Sequence, residues 1–92
     1  MSQVAVVIGG GQTLGEFLSR GLAAEGYRVA VVDIQSEKAA RVADTINTEF
    51  GEGMAYGFGA DATSEQSVMA LARGVDDIFG RTDLLVYSAG IA

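Results

Sequence analysis

The residues with the clearest capacity for chemistry are glycines. In "VAVVIGGGQTLGEFL", Val4 to Leu18, an apolar run ends on Gly9, Gly10 and Gly11, and Gly15 follows inside a helical pattern. Glycine has no Cβ, so backbone at such a corner can approach a phosphate closely, and a helix start offers unpaired N–H groups with a partial positive charge. The plain alternative is a tight strand-to-helix turn. A triphosphate loop of the form G-x-x-x-x-G-K-[ST] is excluded, because Gly10 and Gly15 have its spacing but Glu16 stands in place of the lysine. The strict G-x-G-x-x-G is excluded too, since Leu14 occupies its last position. A variant with Gly9, Gly11 and Gly15 remains.

Asp33 is the second chemical group. It ends an apolar run and lies 18 residues beyond Gly15, where a carboxylate can accept hydrogen bonds from the ribose diol of an adenosine. The same charge repels a 2′-phosphate, and Ile34 and Gln35 add no cation, so the pattern predicts NAD rather than NADP. Asp61 in "GADAT" has two readings, a contact to an adenine edge or an acid near a helix start. Asp83 is expected to fix the start of a strand. Ser88 has neither a G-x-S-x-G elbow nor a histidine to activate it, which leaves it a structural use.

Short runs alternating with helical patterns must position these groups. Gln3 to Ile8 and Tyr27 to Val32 read as strands buried on both faces. Met54 to Ala60 reads as a third strand, weakened by Gly57 and Gly59, and Leu84 to Tyr87 as a fourth. Helical spacing from Gln12 puts Leu14, Phe17, Leu18, Gly21 and Leu22 on one face, with Gly26 as the stop. Ser36 is the expected cap of a second helix, with Ala39, Val42, Ala43, Ile46 and Phe50 inward. Thr63 and Gln66 form a capping-box pattern for a third, with Val68, Leu71, Ala72, Val75 and Phe79 inward. The order β-α-β-α-β-α-β predicts an α/β fold, a Rossmann-type doubly wound parallel sheet with helices on both faces. Residues 1–92 read as one partial NAD-binding domain, the first half of a larger one, because the chain stops straight after a strand.

Bulk composition narrows the function further. The 92 residues carry a net charge of −6, with 49% hydrophobic and 20% charged residues and no Lys/Arg cluster. A phosphate-backbone binder needs such a cluster, so a nucleic-acid partner is not expected. Histidine and cysteine are absent, which removes disulfides and the commonest metal ligands; no metal site is expected. No apolar run approaches the roughly 20 residues of a membrane span, and no basic segment precedes Val4. The expected setting is the cytoplasm, without a membrane partner.

Taken together, "IGGGQTLG" (Ile8–Gly15), Asp33, "DAT" (Asp61–Thr63) and "DLLVYSAG" (Asp83–Gly90) resemble the short-chain dehydrogenase/reductase family, in order and at its spacings. The family pattern is T-G-x-x-x-G-x-G, an acid ending strand two, D-[AV]-[ST], and D-x-L-V-N-N-A-G. Here Ile8 replaces the threonine, Thr13 the middle glycine and Tyr87-Ser88 the Asn-Asn pair, so the polar tie those groups make between strand ends must be remade or lost. The resemblance implies cofactor contacts at Gly9, Gly15, Asp33, Asp61, Ala62, Ala89 and Gly90. Gly11, Gln12, Thr13, Leu14 and Ser88 complete the candidate set. It also implies a homo-oligomer at full length, and the wording of the chain resembles members that take a small sugar phosphate. No catalytic residue is expected among these 92. The family's Tyr-x-x-x-Lys is absent, since Tyr27, Tyr56 and Tyr87 are followed four residues on by Val31, Ala60 and Ile91. Two alternatives stand beside this reading: a regulatory NAD-binding module without catalysis, and another reductase of the family, such as a 3-oxoacyl carrier-protein reductase.

Overall fold

A computed structural model describes residues 2–88. Its elements are β1 (Val4–Ile8), α1 (Thr13–Ala24), β2 (Arg28–Asp33), α2 (Ser36–Phe50), β3 (Ala55–Gly59), α3 (Glu65–Phe79) and β4 (Leu84–Tyr87). The four strands form one parallel sheet in the order β3-β2-β1-β4. β-branched residues fill β1 and β2, and Val4, Val7, Val29 and Val31 are wholly buried because both faces of the sheet are covered. One core joins Val7, Val29 and Val31 to Ala23 of α1 and to Val42 and Ile46 of α2. The other joins Val4, Val6, Ala30 and Val32 to Leu71, Val75 and Phe79 of α3. The sheet is therefore doubly wound, as the alternating order requires. Among the described residues no helix is long and apolar enough to cross a membrane.

The first helix packs on a different face from the one its apolar residues mark. Its buried residues are Gly15, Ser19 and Ala23, while Leu18 and Leu22 are half-buried and Phe17 is 75% exposed. Small residues four apart form a smooth stripe that brings the helix backbone close to the sheet, and the larger side chains are displaced to its flanks. Gly26 stops the helix as expected: its N–H donates to Ala23 O (3.0 Å) and the N–H of Tyr27 to Leu22 O (3.0 Å), a Schellman closure. In α3, Leu71, Val75 and Phe79 are buried as expected, but Val68 and Ala72 are exposed.

Both expected caps sit one residue away from their sequence assignments. Ser36 is the first residue of α2, and the cap position belongs to Gln35, which makes no side-chain capping bond. The Asp33 carboxylate instead holds the Gln35 N–H at 2.9 Å. At α3 the cap is Ser64, whose Oγ accepts the Ser67 N–H at 3.3 Å. Thr63 is unavailable for capping because its N–H and Oγ both donate to Asp61 Oδ1. Ser64→Ala is expected to lower stability by about 1 kcal/mol, the usual worth of such a cap. Chemical denaturation will show the loss, and a neutral Ser64→Ala would return the cap to Thr63.

Candidate functional site

The carboxyl ends of the strands frame a cleft of about 620 Å³. It opens where β1 leads to β2 on one side while β4 pairs on the other, the switch point at which open α/β sheets bind ligands. Gly9, Gln12, Thr13 and Leu14 line it from the corner, Asp33 from β2, Asp61 and Ala62 from the segment after β3, and Ser88 from the end of β4. The structure thus brings eight of the candidate residues to one cleft. Ala89 and Gly90 lie outside the described residues. Ile8, Thr63 and Tyr87, which stand inside the quoted motifs, also line it, as do Ile34 and Ala60, whose only signal in the sequence is adjacency to Asp33 and Asp61.

Gly11 and Gly15 do not line the cleft and act from behind it. A Cβ on Gly15 would lie 1.9 Å from Gly9 O and 2.7 Å from the Cα of Gly10, so this glycine seats the helix start on the corner. A Cβ on Gly11 would lie 2.9 Å from Asp33 Oδ2 and 2.8 Å from the Cβ of Lys38. Gly11 leaves the space that the Asp33 carboxylate fills.

The corner does not offer all its amides. The N–H groups of Gly9 and Gly10 both donate to Val32 O, at 2.7 and 2.8 Å, so they brace β1 against β2. The open donors are those of the first turn of α1, Thr13, Leu14 and Gly15, which have no partner within their own helix. The cap residue Gln12 supplies no side-chain acceptor to them. An anion at this point would find donors and the positive end of the helix dipole together.

Asp33 is 2% exposed, and its two oxygens differ. Oδ1 accepts the Gln35 N–H, while Oδ2 is buried without a hydrogen-bond partner. A buried carboxylate oxygen without a donor is costly, and a ligand hydroxyl is the kind of group that relieves the cost. The residues present therefore fit a nucleotide carrying a diphosphate and a ribose diol. The departures from the family pattern are compensated at the carboxyl end of β1, beside the cleft. Ser88 donates to Ile8 O twice, through its N–H at 2.9 Å and its Oγ at 3.0 Å. The serine remakes the tie between strand ends, its expected structural use.

Asp61 closes the other side. Its Oδ1 accepts the Thr63 hydroxyl at 2.6 Å and the Thr63 N–H at 2.9 Å, and these bonds hold the carboxyl below the ordinary carboxylate range. Its own N–H donates to Ser67 Oγ at 2.8 Å. The bonds stabilise the turn above the unfolded carboxylate value of about 3.9 and are lost as pH falls through the lower folded value. In a titration followed by NMR, the Thr63 amide is expected to move at a pH below that value; movement at the ordinary value would contradict the bonding. Asp83 stands at the opposite end of the sheet, where Arg81 and then the Val4 N–H hold its carboxyl low. It fixes the start of β4 as expected.

A switch-point cleft with a helix start on one strand and a buried acid closing the next is the architecture of a Rossmann-type dinucleotide-binding domain. Comparison with known proteins agrees. The model of the short chain dehydrogenase family matches residues 3–92, and the chain belongs to that family. It is 84% identical over all 92 residues to Sorbitol-6-phosphate 2-dehydrogenase of Escherichia coli K12, covering 36% of that protein. A crystal structure of Sorbitol-6-Phosphate 2-dehydrogenase SrlD from Erwinia amylovora superposes with a TM-score of 0.93 at 67% identity, over 96% of this chain and 34% of the other. A 3-ketoacyl-(acyl-carrier-protein) reductase from Brucella melitensis complexed with NADH gives 0.82 at 32% identity, over 90% of this chain and 32% of the other. Further structural neighbours hold NAD+ in one case and NADP in another. The chain spans about a third of the length of these relatives.

Proposed function

We propose that residues 1–92 are the NAD-binding part of an oxidoreductase that interconverts D-sorbitol 6-phosphate and D-fructose 6-phosphate. Removing hydrogen from C2 of the hexitol phosphate gives that ketose phosphate. The observation that carries the reading is the 84% identity, unbroken across the whole chain, to an enzyme named for this substrate. NAD, when bound, supplies the acceptor for the hydride.

The chain's own part is to bind and orient. The Thr13 and Leu14 amides hold the diphosphate, with Gly9 and Gln12 shaping the corner and Gly15 seating the helix start behind it. Asp33 accepts from the ribose diol and disfavours a 2′-phosphate, which supports NAD over NADP. Asp61 and Ala62 meet the adenine, and Ser88, Ala89 and Gly90 continue the site from the end of β4. The cytoplasm and a homo-oligomeric whole protein accord with this reading.

Steady-state assay of the whole protein tests it. NAD reduction is expected with D-sorbitol 6-phosphate and much less with unphosphorylated sorbitol or with NADP. Turnover of a 3-oxoacyl thioester instead would favour the other reductase, and NAD binding without turnover of either would favour a regulatory module.

A further inference from the structure

The outer edge of β3 carries a device that the cofactor site does not use. Among the described residues β3 pairs only with β2, in parallel. Met54 O accepts the Val29 N–H and the Ala60 N–H donates to Asp33 O, so the even-numbered positions face β2. By alternation Ala55, Gly57 and Gly59 turn their peptide groups outward, where an extended chain could add a strand. At Ala55 that place is taken. The Asn47 Nδ2 donates to Ala55 O at 3.0 Å, and the Ala55 N–H donates to Asn47 Oδ1 at 2.8 Å. A carboxamide presents one donor and one acceptor side by side, as an adjoining peptide strand does. Asn47 sits in the last turn of α2 and reaches the strand across the Gly51–Gly53 loop. Asp44 and Glu52 line the groove beside it, and like charges at an edge discourage pairing with another acidic chain.

We propose that the Asn47 carboxamide is a surrogate strand that closes the first outward-facing position of β3 against strand addition by a second copy of this chain. A second copy is the pertinent intruder, because it brings the same edge at the highest local concentration during folding. Pairing there must first break both Asn47 bonds, and the acids of the two copies would face each other.

The test uses the whole protein with Asn47→Ala, and Ile46→Val as a control that loosens the neighbouring core residue without touching the edge. Hydrogen exchange at the Ala55 amide is expected to quicken at least about tenfold in Asn47→Ala, the loss of one hydrogen bond's worth of protection. Sedimentation across a concentration series should show species larger than the parent assembly for Asn47→Ala only. Adding Tyr56→Lys, an edge charge, should reverse the association. Should Asn47→Ala fail to fold, Asn47→Gln, which displaces the amide by one methylene, carries the same two readouts. Unchanged exchange at Ala55, faster exchange without association, or association matched by Ile46→Val would each overturn the proposal.

Discussion

Asp33→Ala is expected to weaken NAD binding by about 1–3 kcal/mol, the cost of losing a charged hydrogen-bonding partner. That is roughly 5- to 150-fold in Kd. The buried, donor-less Oδ2 is the reason to expect the upper half of the range, since the unliganded protein already bears the burial cost that a ribose hydroxyl would relieve. Alanine also removes the acceptor for the Gln35 N–H, so a structural loss must be separated from a binding loss. Asp33→Asn does this. It keeps a carbonyl for Gln35 and removes the charge, so NADP should gain relative to NAD while the melting temperature moves little. Calorimetric titration of both variants with both nucleotides is the measurement. Unchanged NAD affinity in Asp33→Ala would discard the assignment.

Gly15→Ala should be the most damaging alanine substitution among the described glycines. Its Cβ would lie 1.9 Å from Gly9 O and 2.7 Å from the Gly10 Cα, and both are backbone atoms that cannot rotate away. Overpacking of this kind costs about 1–3 kcal/mol and occasionally more, and relief here requires the helix start to lift off the corner. Lifting it displaces the Thr13 and Leu14 amides, so stability and nucleotide affinity should fall together. Gly21 on the same helix provides the contrast. Nothing lies within 4 Å of a Cβ placed there, and Gly21→Ala should stabilise by up to about 1 kcal/mol through helix propensity. Denaturation midpoints of the two variants should move in opposite directions. A neutral Gly15→Ala would mean that the corner is looser than its geometry.

Much of this site was legible in the residues because its parts are local. A β-branched run, three glycines and a helical spacing define a strand, a corner and a helix within Val4–Leu18, and Asp33 ends the next run by the same logic. The errors share one origin. Helical spacing puts the apolar Leu14 and Phe17 on one face, yet the contact face of α1 is Gly15, Ser19 and Ala23. Periodicity finds a helix, but the surface it lands on decides its rotation, and here the glycine corner demands small residues. The caps at Ser36 and Thr63 moved for a similar reason: Asp33 and Asp61, each two residues upstream of a bonded amide, captured the local hydrogen bonds first.

The order of the amino acids was enough to set seven alternating elements, a doubly wound sheet and the positions of the glycine corner and the acid, since each depends on neighbours along the chain. Folding in three dimensions settled which groups remain open. Val32 O takes the Gly9 and Gly10 amides, Ile8 O takes both donors of Ser88, and Asn47 occupies Ala55. Each of these is a competition between distant groups for one hydrogen-bonding partner, and only the packed sheet brings the competitors within reach of each other.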